Sequence, residues 1–136
     1  MSLVIDASVW VSAFIPADAH HRTTRAWLEA ISPVETLTTP ALGLVETAGA
    51  VARRTGSDLL ARRACRAIER LPNVLVVIPD GELWDAALGT AAGRSLRGAD
   101  AVYVALADLL GLPLVTWDRD QRDRAGRHVR VFAPSR

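Results

Sequence analysis

The sequence predicts an α/β fold with a mostly parallel sheet, because short apolar runs alternate along the chain with longer segments of helical spacing. The two clearest runs, residues 3–5 and 74–78, are rich in β-branched residues and show no polar alternation. That pattern is typical of strands that are buried on both faces of a parallel sheet. Shorter candidate strands are residues 36–39, 114–116 and 129–132. Right-handed crossovers through the intervening helices would join these strands.

The segments between the runs carry apolar residues at the spacing of one helix face. These residues are Leu44, Ala48 and Ala52 in the first helix, Leu60, Ala64, Ile68 and Leu71 in the second, and Leu83, Ala87 and Ala91 in the third. A further apolar helix begins at Ala101. Helix starts are predicted at Thr39-Pro40, a cap followed by proline, and at the capping residues Ser57 and Asp80.

Length and composition favour an ordinary globular protein with one domain over residues 1–136. Hydrophobic residues make up 50% of the chain and charged residues 23%, which argues against a disordered or fibrous protein. The 16 basic and 15 acidic residues nearly cancel, so no global field points to nucleic acid. All of the basic residues are arginine, which excludes any mechanism that needs a lysine.

Cysteine content and hydropathy favour a cytoplasmic protein. Cys65 is the single cysteine, so no intramolecular disulfide can form and a reducing compartment is permitted. The apolar start of the chain is interrupted at Asp6 and does not read as a signal peptide. The longest strongly apolar stretch, residues 101–107, is far shorter than the roughly 20 residues of a membrane span, so we expect no membrane partner.

Four acidic residues are predicted to meet at one edge of the sheet. In an open parallel sheet, ligands bind beyond the carboxyl ends of the strands. Asp6 follows the first strand and Asp118 follows the strand at 114–116. Asp100 opens the helix that begins at Ala101, and Glu46 lies about two turns into the helix that starts near Pro40.

Glu46 is the most informative of these acids, because its helical neighbours Leu42, Gly49 and Ala50 cannot pair with a carboxylate. A buried carboxylate must protonate, find an arginine or bind a cation. Two carboxylates about 4 Å apart repel by about 4 kcal/mol at an effective dielectric constant of about 20. A divalent cation would compensate that repulsion, and all-oxygen ligation favours Mg²⁺ or Mn²⁺ over zinc.

Each acid taken singly also has a purely structural interpretation. Asp6 could lead into a helix capped by Ser8, Asp100 could be an N-cap, and Asp118 could begin a turn. One of the many arginines could neutralise Glu46. The joint placement of all four at one edge favours the metal site.

Four short motifs carry a resemblance to a known family. They are residues 4–8 around Asp6, 44–47 around Glu46, 98–101 around Asp100 and 116–118 around Asp118. With these motifs in this order, nearly from end to end, the chain resembles the PIN-domain nucleases, and within them the VapC-type toxins of bacterial toxin-antitoxin pairs.

The resemblance implies a PIN-like three-layer α/β/α sandwich with a mostly parallel central sheet of about five strands, a homodimer, and a VapB-like antitoxin that occupies the active-site groove. It also implies that Asp6, Glu46, Asp100 and Asp118 bind Mg²⁺ or Mn²⁺, with Ser8 and Thr116 as auxiliary polar groups. Many relatives have an aromatic residue three positions after the last acid, where this chain has Gln121. Because Asp120 is close by, either Asp118 or Asp120 could be the fourth ligand.

The resulting hypothesis is an endoribonuclease that uses a metal-activated water and leaves a 5′-phosphate and a 3′-hydroxyl. Arg119, Arg122 and Arg124 are the candidates for contacts with RNA phosphates. Other residues receive no role in this hypothesis: Arg53, Arg54, Arg62, Arg66 and Arg70 are interpreted as a solvated helix face, His20 and His21 as loop residues, and the four tryptophans as core or interface anchors.

Two other interpretations remain. An aspartate-nucleophile phosphatase or receiver-like domain also places an acid after the first strand, but those sites normally use a lysine. A catalytically inactive PIN-like module that binds protein or RNA is the second, and metal dependence discriminates it from the nuclease.

Overall fold

A computed structural model describes residues 2–31 and 33–135 of the chain. Its sheet has five strands in the order β3-β2-β1-β4-β5, and all of their pairings are parallel. The strands are β1 (Ser2–Ile5), β2 (Thr36–Pro40), β3 (Val74–Val77), β4 (Leu114–Val115) and β5 (Val131–Phe132). The α/β class and the five predicted strands are therefore confirmed, with shorter strands than predicted near the carboxyl terminus. The prediction that residues 74–78 are buried on both faces is wrong, because β3 lies at the edge of the sheet and Leu75 is 53% exposed.

The described helices are α1 (Ala7–Phe14), α2 (His21–Ala30), α3 (Ala41–Thr55), α4 (Asp58–Arg70), α5 (Gly81–Arg94), α6 (Gly98–Leu110) and α7 (Arg119–Arg124). These helices cover both faces of the sheet. Successive side chains of a strand point to opposite faces, so the contacts of β1 show which helices lie on each face. Val4 packs with α5 and α6, whereas Leu3 and Ile5 pack with α1, α2 and α4. This arrangement is the predicted three-layer α/β/α sandwich.

Two of the three predicted helix caps are confirmed. The Ser57 hydroxyl accepts a hydrogen bond from the Leu60 backbone N–H at the start of α4, and Asp80 accepts one from the Leu83 N–H at the start of α5. The predicted cap at Thr39 is wrong. β2 stays paired with β3 as far as Pro40, so Thr39 remains in the strand and its hydroxyl donates to the Ile5 carbonyl instead.

Helix α2 was not predicted, and the interpretation of His21 as a loop residue is wrong because His21 begins this helix. The helical spacing of Thr24, Trp27 and Leu28, of which the first two are buried, is the pattern that would have indicated it. None of the described helices is both long and apolar enough to cross a membrane.

The strand order places the candidate site. β1 lies between β2 and β4, so the carboxyl ends of these three strands are side by side. Asp6 follows β1, and the segment 116–118 follows β4. Helix α3, which carries Glu46, follows β2 directly. This is the edge at which open parallel sheets bind ligands.

Candidate active site

Asp6 is buried, with 6% of its surface exposed, and caps helix α1. Its Oδ2 accepts hydrogen bonds from the Ser8 backbone N–H and from the Thr116 hydroxyl, both at 3.0 Å. Burial raises the pKa of this carboxyl, and the nearby charge of Asp118 adds to the increase. Within residues 2–31 and 33–135, Oδ1 accepts no hydrogen bond, so the cap occupies one oxygen and leaves the other available. The cap of α1 is thus Asp6 itself and not Ser8.

Ser8 and Thr116 connect the ends of β1 and β4. Their hydroxyl oxygens lie 3.3 Å apart. The Ser8 hydroxyl also accepts the Trp117 backbone N–H, and the Thr116 hydroxyl accepts the Asp118 backbone N–H. The two predicted auxiliary residues therefore hold Asp6 and the segment before Asp118 in a fixed relation.

Glu46 has a partner that the sequence did not reveal. The Tyr103 hydroxyl, from α6, donates a hydrogen bond of 2.6 Å to Glu46 Oε1. Tyr103 is fully buried, and burial raises its pKa, so it stays a neutral donor. Burial also raises the pKa of Glu46, while the Tyr103 hydrogen bond lowers it and the charge of Asp6 raises it. Tyr103 thus orients Glu46 without neutralising it.

Asp100 lies in the first turn of α6, whose N-cap position is Arg97, so the N-cap interpretation of Asp100 is wrong. Burial raises the pKa of Asp100 to about 6, and the charges of Asp118, Asp6 and Glu46 contribute in that order. Asp118 caps the short helix α7 by accepting the Gln121 backbone N–H through Oδ1. The charges of Asp118, Asp6 and Glu46 are therefore close enough to raise the pKa of Asp100.

A single pocket of about 560 Å³ is lined by Asp6, Glu46, Asp100 and Asp118. In the part of the chain that the structure describes, no three acidic, histidine or cysteine side chains converge tightly enough to hold an ion by themselves. Mg²⁺ usually takes one or two carboxylates and keeps several waters, so a looser ring of carboxylates suits it. An all-oxygen donor set with a free Asp6 oxygen fits a hard divalent cation.

The structure places Asp118, and not Asp120, in the pocket. Asp120 is exposed and forms an ion pair of 2.7 Å with Arg124 on the same helix. Of the two candidates for the fourth acid, Asp118 therefore has the position that the hypothesis needs.

The basic residues of the pocket differ from those that the sequence suggested. Arg119, Arg122 and Arg124 do not line it, whereas Arg53, Arg54 and Arg97 do. Arg53 and Arg54 are exposed, as expected for a solvated helix face, but the last turn of α3 also places them at the pocket wall. The spacing of Glu46, Gly49 or Ala50, and Arg53 along one helix face could have indicated this.

These arginines are not equivalent. Arg54 pairs with Asp18 at 2.5 Å, and this partner helps to keep the pKa of Asp18 low. Arg53 and Arg97 form no ion pair within residues 2–31 and 33–135, and both are exposed. Two unpaired cations thus stand at the wall of an acidic pocket.

Two aromatic residues also line the pocket, His20 and Trp117. Their rings are stacked, with centroids 3.8 Å apart and an angle of 8° between the planes. From the sequence alone, His20 had no assigned role and Trp117 was interpreted as a core or interface residue. No spacing rule could have paired them, since they are 97 positions apart.

Residues 3–127 match the sequence profile of the PIN domain. The chain belongs to the PIN-domain family. The resemblance found in the four acidic motifs is therefore confirmed at the level of the family. No curated protein sequence matches this PIN domain significantly.

Several solved structures resemble this chain over nearly its whole length. VapC20 of Mycobacterium tuberculosis, a toxin that cleaves the sarcin-ricin loop, is 25% identical with a TM-score of 0.78, over 94% of this chain and 98% of that one. A chain of VapBC2 of Rickettsia felis, bound to a promoter DNA fragment, is 12% identical with a TM-score of 0.75, over 98% of both chains. A chain of FitAcB of Neisseria gonorrhoeae is 19% identical with a TM-score of 0.72, over 97% of both chains.

Without a divalent ion, Asp100 should make this PIN domain less stable as the pH rises from about 4 to about 6. Its pKa in the folded protein is about 6, against an ordinary 3.8. The folded state therefore holds the proton more tightly than the unfolded chain, so the contribution present below the unfolded pKa is lost as the pH passes the folded pKa. Urea unfolding of chelator-treated wild type and Asp100→Asn measures this difference. The stability of the wild type relative to the variant should fall across that window, and a constant or rising difference would contradict the assignment.

Proposed function

We propose that this PIN domain is a metal-dependent endoribonuclease, with Mg²⁺ as its ion and Mn²⁺ able to substitute. The observation that carries the proposal is the meeting of four carboxylates, from four separate segments of the chain, in one pocket with unpaired arginines. Such a ring of like charges is costly unless a cation compensates it.

Each residue of the pocket has a role in this proposal. Asp6, Glu46, Asp100 and Asp118 would hold the ion, which lowers the pKa of a bound water and offsets negative charge on the phosphate. Ser8 and Thr116 position Asp6, and Tyr103 positions Glu46, through the hydrogen bonds described above. Arg53 and Arg97 replace the arginines of α7 as the groups that would bind backbone phosphates.

We also propose that the chain is the toxin of a VapBC-type pair and binds a VapB-like antitoxin. The fold shared with chains of the VapBC2 and FitAcB structures supports this assignment, and the RNA-cleaving activity stated for VapC20 supports RNA as the substrate. A cytoplasmic location is consistent with such a role and stays a prediction.

The homodimer also stays a prediction, and one surface supports it. Trp84 and Leu88 of α5 are 50% and 72% exposed and border an apolar hollow of about 440 Å³ between α5 and α6. Contiguous exposed apolar surface of this kind is typical of protein interfaces.

Purified protein should cleave a mixed RNA pool with Mg²⁺ or Mn²⁺ and lose that activity with a chelator. Because a metal-activated water does not use the ribose 2′-hydroxyl, the products should carry 5′-phosphates and 3′-hydroxyls. Mapping the cut ends measures both properties. Cleavage that persists in the presence of the chelator would contradict the mechanism, and so would products that carry a 2′,3′-cyclic phosphate.

A thermal-shift measurement on the same protein separates the nuclease from the inactive binding module. A ligand that binds only the folded state adds about 2.7 kcal/mol of stability at about 100 times its dissociation constant. Stabilisation by Mg²⁺ is expected for the nuclease. The absence of both stabilisation and cleavage would favour a PIN-like module that acts through binding alone.

A further inference from the structure

The stacked rings of His20 and Trp117 form a flat aromatic surface in the wall of the acidic pocket. We propose that the exposed side of His20 binds an unpaired nucleobase of single-stranded RNA, next to the phosphate that is cleaved. This inference deepens the proposed function and rests on it, because it names the part of the substrate that this side of the pocket recognises.

Trp117 is fixed in place by two hydrogen bonds. Its backbone N–H donates to the Ser8 hydroxyl at 3.0 Å, and its indole N–H donates to the Thr24 hydroxyl at 2.9 Å. Thr24 is itself held by the Ser12 hydroxyl at 2.7 Å, and both of these residues are buried. The plane of the indole is therefore set by the protein core before any ligand arrives, which reduces the ordering cost of binding.

His20 is the outer member of the pair. It is exposed, and Trp117 covers one side of its ring. Its backbone N–H donates to Asp18 Oδ1 at 2.8 Å, and this short turn holds the residue in position. Within residues 2–31 and 33–135, its ring nitrogens make no hydrogen bond, so the ring contacts the protein chiefly through stacking.

The surroundings favour a nucleotide over an uncharged aromatic ligand. Trp117 directly precedes Asp118, so the aromatic surface adjoins the carboxylates that would hold the metal. Arg53 and Arg97 supply cations for phosphates in the same pocket. Asp18, beside His20, would repel a phosphate, but Arg54 pairs with it at 2.5 Å.

Stacking is the usual way in which proteins hold single-stranded RNA. Unstacked bases lie on aromatic side chains, histidine among them, and every base offers a flat face for this contact. The aromatic surface therefore predicts that cleavage requires an unpaired base beside the cut site, and it does not by itself predict which base.

Binding can be measured without cleavage in the Asp6→Asn background, with a fluorescent single-stranded oligoribonucleotide and Mg²⁺. His20→Ala should weaken binding between about 5-fold and about 150-fold, the range found when a stacking aromatic residue is removed. His20→Phe keeps a flat ring without its nitrogens and should bind within about 3-fold of the parent. His128→Ala removes an exposed histidine outside the pocket and should leave binding unchanged. A loss in His20→Phe as large as that in His20→Ala would overturn the stacking proposal.

An abasic scan of the same oligonucleotide identifies the contact directly. Removal of one base should weaken binding to the His20-containing protein, and the same removal should have little further effect in His20→Ala. Additive effects at every position would overturn the proposal. Because this scan requires no turnover, a failure of RNA cleavage with a positive scan would reject only the catalytic function. Normal cleavage together with additive effects at every position of the scan would reject only the binding of a base by the aromatic surface.

Discussion

Asp6→Asn is expected to abolish metal-dependent RNA cleavage while the fold is retained. Asparagine is as good an N-cap as aspartate, and its amide oxygen can still accept the hydrogen bonds from Ser8 and Thr116. The lost feature is the negative charge at the pocket. The rate should fall by more than about 100-fold, beyond the range that is typical for residues that only position a metal ligand. Initial rates at saturating Mg²⁺ and circular dichroism measure the two properties.

A matched variant tests whether the effect is specific to the pocket. Asp58→Asn removes an exposed carboxylate of α4 that pairs with Arg62, and it should leave cleavage unchanged. Burial raises the pKa of the Asp6 carboxyl, so its charged form is unfavourable in the folded protein. Removal of this charge should therefore not reduce the stability of the protein in the presence of a chelator. Stabilisation by Mg²⁺ should be present in the wild type and weak in Asp6→Asn. Full activity of Asp6→Asn would refute the proposed role of this residue.

Gly43→Ala should destabilise the protein and disturb Glu46. A Cβ at this position would lie 2.7 Å from the Thr39 hydroxyl oxygen and 2.8 Å from the Tyr103 hydroxyl oxygen. Neither oxygen atom can move away easily. The Thr39 hydroxyl donates a hydrogen bond to the Ile5 carbonyl, and Tyr103 is fully buried and donates a hydrogen bond to Glu46. Overpacking of this kind costs about 1–3 kcal/mol. Urea unfolding measures the loss, and RNA cleavage should fall with it because Glu46 loses its fixed orientation.

Gly89→Ala is the control for the helix position. Gly89 lies within α5, and a Cβ there meets no atom within 4 Å. Replacing glycine by alanine inside a helix without a clash should stabilise by about 0.5–1 kcal/mol. The two substitutions are therefore expected to have opposite signs. An increase in stability for Gly43→Ala would show that the contact with Tyr103 is not restrictive.

The predictable part of the fold was the part encoded locally. The apolar runs 3–5 and 74–78 both indicated parallel strands, but only the first is buried, since β3 lies at the edge of the sheet. Ser57 and Asp80 were correct caps because capping depends on a few neighbouring residues. Thr39 failed as a cap since strand pairing with β3, a tertiary interaction, extended β2 over it. Tertiary pairing outweighs a local preference that is worth only about 1 kcal/mol.

The candidate site divides in the same way. Residues that follow strands, such as Asp6 and Asp118, could be assigned to one edge from topology alone. The Tyr103 partner of Glu46 and the stack of His20 on Trp117 join distant segments through side-chain packing. Such contacts depend on how helices sit on the sheet, which the spacing of residues along the chain does not determine.

The central position of β1 has a consequence for synthesis of the protein. β1 is made well before its neighbour β4 and before Thr116, whose hydroxyl holds Asp6. A nascent chain that has not passed residue 118 lacks this support and one of the four acids. A product that ends before residue 118 therefore cannot assemble the pocket, however stable its earlier helices are.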